Sequence, residues 1–154
     1  MQLSLTHLLL AALASTAALA APAPASSSSP AKSMMVANTS WTITSLKRVC
    51  KKADTKCTWT FGIDTGSGPN STTDCTYIVN GSPASEANGG PITCGAYTIT
   101  SGWSDQFGAD AGFTTLAVVN EGTRQIVWPA YTDKQLDGGQ VVTPDQSYTP
   151  SVLP

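Results

Sequence analysis

From residue 41 onward, apolar and polar residues alternate in short runs broken by Gly, Pro and Asn. Trp41, Ile43 and Ser45 share one face of a first run that ends near Cys50. Trp59, Phe61 and Ile63 share a face of the second, with Thr58 and Thr60 opposite, and Cys75, Tyr77 and Val79 align in a third. Ile92, Cys94, Ala96 and Thr98 define one face of a fourth run, with Tyr97 and Ile99 on the other. Residues 113–120 and 124–128 form a fifth and sixth, joined by a turn at Glu121-Gly122, and a further short strand is expected at 140–143. A two-residue period marks a strand buried on one face, and no ten-residue segment shows a 3.6-residue apolar period. The pattern predicts an all-β domain, an antiparallel β-sandwich or small β-barrel of about 6–8 strands.

Composition supports the pattern. Beyond residue 20 there are 19 Thr, 9 Val and 6 Ile but only 4 Leu, and β-branched side chains suit a pleated surface better than a helix. Residues 1–20 differ: they hold seven of the eleven Leu and no Lys, Arg, Asp or Glu. Their apolar stretch ends in Ala18-Leu19-Ala20, the small-x-small layout of a cleavable signal peptide, and is too short to span a bilayer. The chain is therefore expected to be secreted and extracellular, with no membrane span. Residues 21–37 are rich in Ala, Pro and Ser and read as a linker or pro-segment. The folded domain is expected over 38–154.

An oxidising compartment makes Cys50, Cys57, Cys75 and Cys94 candidates for two disulfides. Three pairings are possible. The sequence-adjacent one, Cys50–Cys57 with Cys75–Cys94, is preferred because each pair then flanks a turn between two strand-like runs. A zinc site is disfavoured by the absence of close C-x-x-C pairs.

The only histidine is His7, inside the leader. Ser-His and Cys-His nucleophilic pairs are thereby excluded from the mature chain, as are histidine-ligated metals. Lys47, Arg48, Lys51, Lys52 and Lys56 supply five of the eight cations, whereas from Cys57 onward two cations face nine carboxylates. So short a basic run on an acidic chain argues against a nucleic-acid partner. The run is read as a charged hairpin tip, or as a surface that contacts anionic polymers.

Other motifs have modest readings. Asp64-Thr65-Gly66-Ser67 resembles the loop of aspartic proteases, but no second copy supplies the partner carboxylate, and a turn is expected instead. Glu86 and Glu121 lie in turns, so no glycosidase pair stands out. Of the metals, calcium suits the chain best, at Asp105 with Asp110 or Asp133 with Asp137. These are nevertheless expected to be solvated turn residues, and no cofactor is expected. Asn38, Asn70 and Asn80 each begin a glycosylation sequon. Trp103 and Phe107 sit in a glycine-containing stretch, either as a recognition platform or with Trp103 folded back as a core plug. Together with Lys47, Arg48, Lys51 and Lys52 they are the candidate recognition surface.

The stretch SGWSDQFGADAGFTTLAVVNEGTRQIVWPAYTDKQL, the later PDQSYTP, and the earlier SWTITSLKRVC and CTWTFGI resemble small secreted fungal elicitors, the hypersensitive-response-inducing proteins. The likeness covers most of residues 40–154. More distantly, Trp41, Ile43 and the pair Cys75/Cys94 resemble the Alternaria major allergen family, in which a corresponding cysteine pair is bonded. The resemblance implies an extracellular β-sandwich without catalytic machinery that plants recognise, with hypersensitive response and defence as the outcome. It implies a plant extracellular or cell-surface protein as partner, of the thaumatin-like pathogenesis-related type. The inter-chain cysteine of the allergen family has no counterpart, so a monomer is expected. The alternative class is an extracellular carbohydrate- or cell-wall-binding structural protein using exposed aromatics.

Overall fold

The computed structural model describes residues 40–154. The leader, the linker and the Asn38 sequon lie outside them. The alternating runs form strands β1 (Trp41–Cys50), β2 (Lys56–Asp64), β3 (Thr72–Asn80), β4 (Gly89–Cys94), β5 (Tyr97–Ser104) and β6 (Phe113–Asn120). Shorter elements follow: β7 (Gln125–Val127), β8 (Ala130–Thr132), one helical turn α1 (Asp133–Leu136), β9 (Gln146–Tyr148) and β10 (Ser151–Val152).

The strands make two antiparallel sheets, in the orders β3-β2-β1-β9 and β10-β7-β6-β5-β4, with β8 also paired to β6. Their facing sides bury one core that includes Trp41, Trp59, Phe61, Tyr77, Ile99, Leu116 and Tyr131. Trp41 meets Tyr97 of the opposite sheet edge-to-face at 5.3 Å, and Trp59 stacks on Tyr77 at 5.7 Å. Such offset aromatic pairs add about 0.5–1.5 kcal/mol each beyond the area they bury.

Both disulfides form as the turn argument expected. Cys50–Cys57 closes the β1–β2 hairpin, and Cys75–Cys94 joins β3 of one sheet to β4 of the other. Among the described residues no helix is long and apolar enough to cross a membrane.

The departures from the alternation have local causes. Ser45 was expected to share a face with Trp41 and Ile43, but it is exposed and Leu46 is buried. A bulge between Thr44 and Lys47, with Ser45 at φ 51°, shifts the register by one and so exchanges the faces. Asp145 fixes the bulge by accepting from the Ser45 N–H at 2.9 Å.

The expected fourth run is two strands. Cys94 pairs with Tyr97 across a turn at Gly95-Ala96, where Gly95 has φ +57°. Glycine permits that left-handed backbone, and the chain reverses where sequence alternation continues unbroken. The turn after β6 spans residues 121–124, because Asn120 pairs with Gln125. Residues 140–143 form no strand; a single bond from Val142 N–H to Leu46 C=O, at 2.7 Å, docks them beside the β1 bulge.

Candidate functional site

The bulge in β1 also decides the site. Without it Lys47 would point inward; with it Arg48 does, and its side chain is only 7% exposed. A guanidinium so deep needs partners. Its Nη1 donates to the Ser85 carbonyl at 2.8 Å and to Asp133 Oδ1 at 3.2 Å, and its Cζ lies 5.6 Å from the Trp59 ring centroid. The other Asp133 oxygen accepts from Trp103 Nε1 at 2.8 Å. One carboxylate thus ties a cation on β1 to an indole on β5, bridging the two sheets.

Local sequence places that carboxylate. Thr132 and Gln135 form a capping box: Thr132 Oγ1 accepts from the Gln135 N–H at 3.3 Å, and Gln135 Oε1 accepts from the Thr132 N–H at 2.9 Å. The single turn of α1 that follows sets Asp133 at its head and drives Leu136 into the core. The Asp133 N–H donates to the Gly112 carbonyl at 2.9 Å. Gly112 itself must lack a side chain, since a Cβ there would collide with the Asp133 carboxylate and the Trp103 ring.

A second carboxylate holds the hairpin tip. Asp54, at φ 47°, accepts from the Ser85 N–H at 2.9 Å and from the Ser85 hydroxyl, while its carbonyl accepts from the Ala84 N–H at 2.7 Å. The β1–β2 tip, the segment after β3 and α1 thereby enclose an open groove of about 680 Å³. Three cations (Arg48, Lys51, Lys134) and five carboxylates (Asp54, Glu86, Asp110, Asp133, Asp137) line it, so the groove is acidic by two although part of the basic run forms its wall. Beside it lies an apolar recess of about 520 Å³ formed by Phe107, Phe113, Ala111, Ala130 and Tyr131; Asp110 and Lys134 border both. Phe107 is 73% exposed and stacks on Phe113 at 5.6 Å. A mixed-charge groove next to an aromatic shelf suits recognition of a surface that offers both ionic and apolar contacts.

The sequence profile of the effector TSP1 family matches residues 42–153. A fungal protein, Effector TSP1 of Hypocrea virens (strain Gv29-8 / FGSC 10586), is 58% identical over 124 residues, covering 80% of this chain and 83% of that protein. The chain belongs to the effector TSP1 family. The match runs through both sheets and therefore through every residue of the groove.

In this TSP1-family chain the candidate recognition residues separate. Lys51 and Lys52 are exposed at the hairpin tip, and Lys47 is half-buried on the outer face of β1. Arg48, expected beside them at the surface, is instead a buried tie between the sheets. Phe107 is open to solvent, whereas Trp103 is half-buried and bonded to Asp133. Asp133 and Asp137 both line the groove, but Asp133 is engaged by Arg48 and Trp103; Asp105 and Asp110 are exposed on either side of the Gly108 turn. Among the described residues, the one cluster of three metal-ligand side chains is Cys50, Asp54 and Cys57, whose sulfurs are joined in the disulfide.

Asp64 forms an ordinary turn with Gly66, not half of a protease dyad. The Ser71 hydroxyl and, to a lesser extent, the Gly66 N–H hold its carboxyl below the usual carboxylate range. Asn70 and Asn80 are both exposed, one before β3 and one at its end. The Asp133 tie was not singled out by sequence reading, yet its signal is present: Thr132-x-x-Gln135 has the spacing of a helix start.

Proposed function

We propose that this chain is a secreted fungal effector that plants recognise as a folded surface and answer with hypersensitive response and defence, without catalysis. The observation that carries this is membership of the effector TSP1 family across both sheets. The signal-peptide layout of residues 1–20 and the two disulfides support export, and a mature chain without histidine supports recognition in place of nucleophilic chemistry. The recognised surface is the hairpin tip with Lys51 and Lys52, the acidic groove and the Phe107 shelf. Its partner is a plant extracellular or cell-surface protein, with a thaumatin-like pathogenesis-related protein as the candidate implied by the family resemblance. The more distant allergen likeness is carried by the sequence alone, at Trp41, Ile43 and the pair Cys75/Cys94, and the match to the effector TSP1 family does not extend to it. Infiltration of purified protein into leaves tests this reading. Necrosis, an oxidative burst or defence-gene induction is expected; no response beside an active positive control contradicts it.

The exposed Phe107–Phe113 stack favours a second reading, an extracellular carbohydrate- or cell-wall-binding protein. Pull-down on chitin, glucan and cellulose separates the two. Retention that is lost in Phe107→Ala supports carbohydrate binding; passage through all three resins counts against it. Phe107 is the residue to change, because Trp103→Ala would also break the bond to Asp133.

A further inference from the structure

The groove and the apolar recess share a border at Asp110 and Lys134, and they differ in kind. In the groove, Arg48 and Asp133 neutralise one another, which leaves Lys51 and Lys134 with Asp54, Glu86, Asp110 and Asp137. Ser85 takes up both oxygens of Asp54. Glu86, Asp110 and Asp137 are exposed, and among the described residues no cation pairs with them. Four carboxylates against two ammonium groups attract a cation entering the groove and repel an anion. The recess offers the opposite chemistry: Phe107 lies open to solvent on the ring of Phe113, beside Ala111 and Ala130. A stacked aromatic pair left in water, next to a charged rim, has the composition of a protein-binding surface.

Both walls are set before any partner arrives. The loop that carries Phe107 and Asp110 is closed by bonds from the Gly108 N–H to the Asp105 carbonyl at 2.7 Å and from the Ala111 N–H to the Gly108 carbonyl at 2.9 Å. The capping box of α1 fixes the backbone at Lys134, and the Gly138 N–H donates to Asp137 Oδ1 at 2.8 Å. Little backbone ordering is left to be lost on docking, which favours the capture of a short segment. We propose that the groove and the recess together seat one segment of a protein partner, which lays an arginine or lysine among Glu86, Asp110 and Asp137 and an aromatic or large aliphatic side chain against Phe107 and Phe113. The proposal rests on the reading that a partner protein recognises this face, and it adds the chemistry that partner must present. A neutral glycan could stack on the rings but would gain nothing from the charge, so a protein segment is the occupant that uses both halves.

The test titrates the chain, with both disulfides intact and isotope-labelled for amide NMR, with a blocked peptide, Phe-Gly-Arg-Gly-Phe. This probe holds a cation between two aromatic rings, so either chain direction can dock. Its controls are Phe-Gly-Glu-Gly-Phe, Ser-Gly-Arg-Gly-Ser and a chitin hexamer. The amides of Glu86, Asp110 and Asp137 should shift together with those of Phe107 and Ala111, at an affinity at least about tenfold above either control peptide. The preference for arginine over glutamate should shrink as salt rises. Phe107→Ala, and separately Glu86→Gln with Asp137→Asn, should each weaken the arginine peptide about tenfold. Lys134→Gln removes a competing cation and should tighten it about threefold, an outcome that a damaged fold would not produce. Equal binding of the arginine and glutamate peptides, the same amides shifted by the chitin hexamer, or shifts that follow protein concentration without peptide would overturn the proposal in favour of an apolar contact, a glycan or a second copy respectively. No shift at millimolar peptide overturns it outright. A leaf response to the wild type beside failed peptide discrimination keeps recognition by plants and overturns this surface; peptide discrimination without a leaf response does the reverse.

Discussion

Replacing Asp133 by Ala is the most exacting perturbation of the tie between the sheets. It leaves the Arg48 guanidinium, 7% exposed, with only the Ser85 carbonyl and the Trp59 face, and it strips Trp103 Nε1 of its acceptor. Breaking a fully buried ion pair from one side costs about 3–5 kcal/mol. Asp133 is 35% exposed, so water screens the pair and takes up part of the loss, which brings this term to about 2 kcal/mol. The orphaned indole N–H adds up to about 1 kcal/mol. A total of about 2–3 kcal/mol corresponds to a fall in Tm of roughly 10 °C for a domain of this size. Asp133→Asn keeps an oxygen in place and should lose only about 1 kcal/mol. Arg48→Met combined with Asp133→Ala removes the buried charge, so the two changes together should cost about 1–2 kcal/mol less than their sum. Urea unfolding with the disulfides intact, followed by tryptophan fluorescence and far-ultraviolet circular dichroism, measures the wild type, the three single variants Asp133→Ala, Asp133→Asn and Arg48→Met, and the double variant. An Asp133→Ala chain within about 0.5 kcal/mol of wild type, or additive changes in the cycle, would refute the reasoning.

Other perturbations have equally definite outcomes. Removing Cys75–Cys94, with sequence separation 19, should cost about 3.3 kcal/mol, and removing Cys50–Cys57, with separation 7, about 2.5; calorimetry of the two double Cys→Ser variants that gave the reverse order would contradict the chain-entropy argument. Burial raises the phenol pKa of Tyr77 and Tyr131 well above the ordinary value near 10, and of Tyr97 and Tyr148 in the same direction. The folded chain thus holds these protons more tightly than the unfolded one, so the stabilisation is complete below pH about 10 and is lost as pH rises beyond it. Phenolate absorbance should rise together with loss of structure, and four tyrosines ionising near pH 10 in an intact fold would be the contrary result. Phe107→Ala should change stability by less than about 0.5 kcal/mol because the ring is 73% exposed, so a loss of leaf response in that variant reports recognition; a large fall in Tm would mean that the shelf is structural. Gly112→Ala should cost about 1–3 kcal/mol by forcing Asp133 and Trp103 apart, and an unchanged Tm would show that the pocket yields.

Most of the sandwich could be read from alternation because a strand with one buried face has a period of two, as Trp59, Phe61, Ile63 and Cys75, Tyr77, Val79 show. Alternation fails where the backbone changes face without changing pattern. Ser45 bulges and sends Arg48 inward, and Gly95 reverses the chain inside an uninterrupted run. Both are single residues at positive φ, which hydrophobic patterning does not record. The short strands β8, β9 and β10 exist through pairing with distant partners, so their own two or three residues carry little signal. For the same reason the groove was half visible. Two of its three cations, Arg48 and Lys51, stand in one basic run, but Lys134 and the five carboxylates come from separate positions between 54 and 137 that only the folded chain brings together.

Recognition of a folded surface, in place of a linear segment, is tested most directly by infiltrating leaves with the native chain beside the same chain reduced and alkylated at Cys50, Cys57, Cys75 and Cys94. The two samples share a sequence and differ in whether the sheets are held together. A defence response to the native chain, absent or at least about tenfold weaker for the alkylated one, is the predicted result. Equal responses to both, or none to either beside an active control, would contradict it.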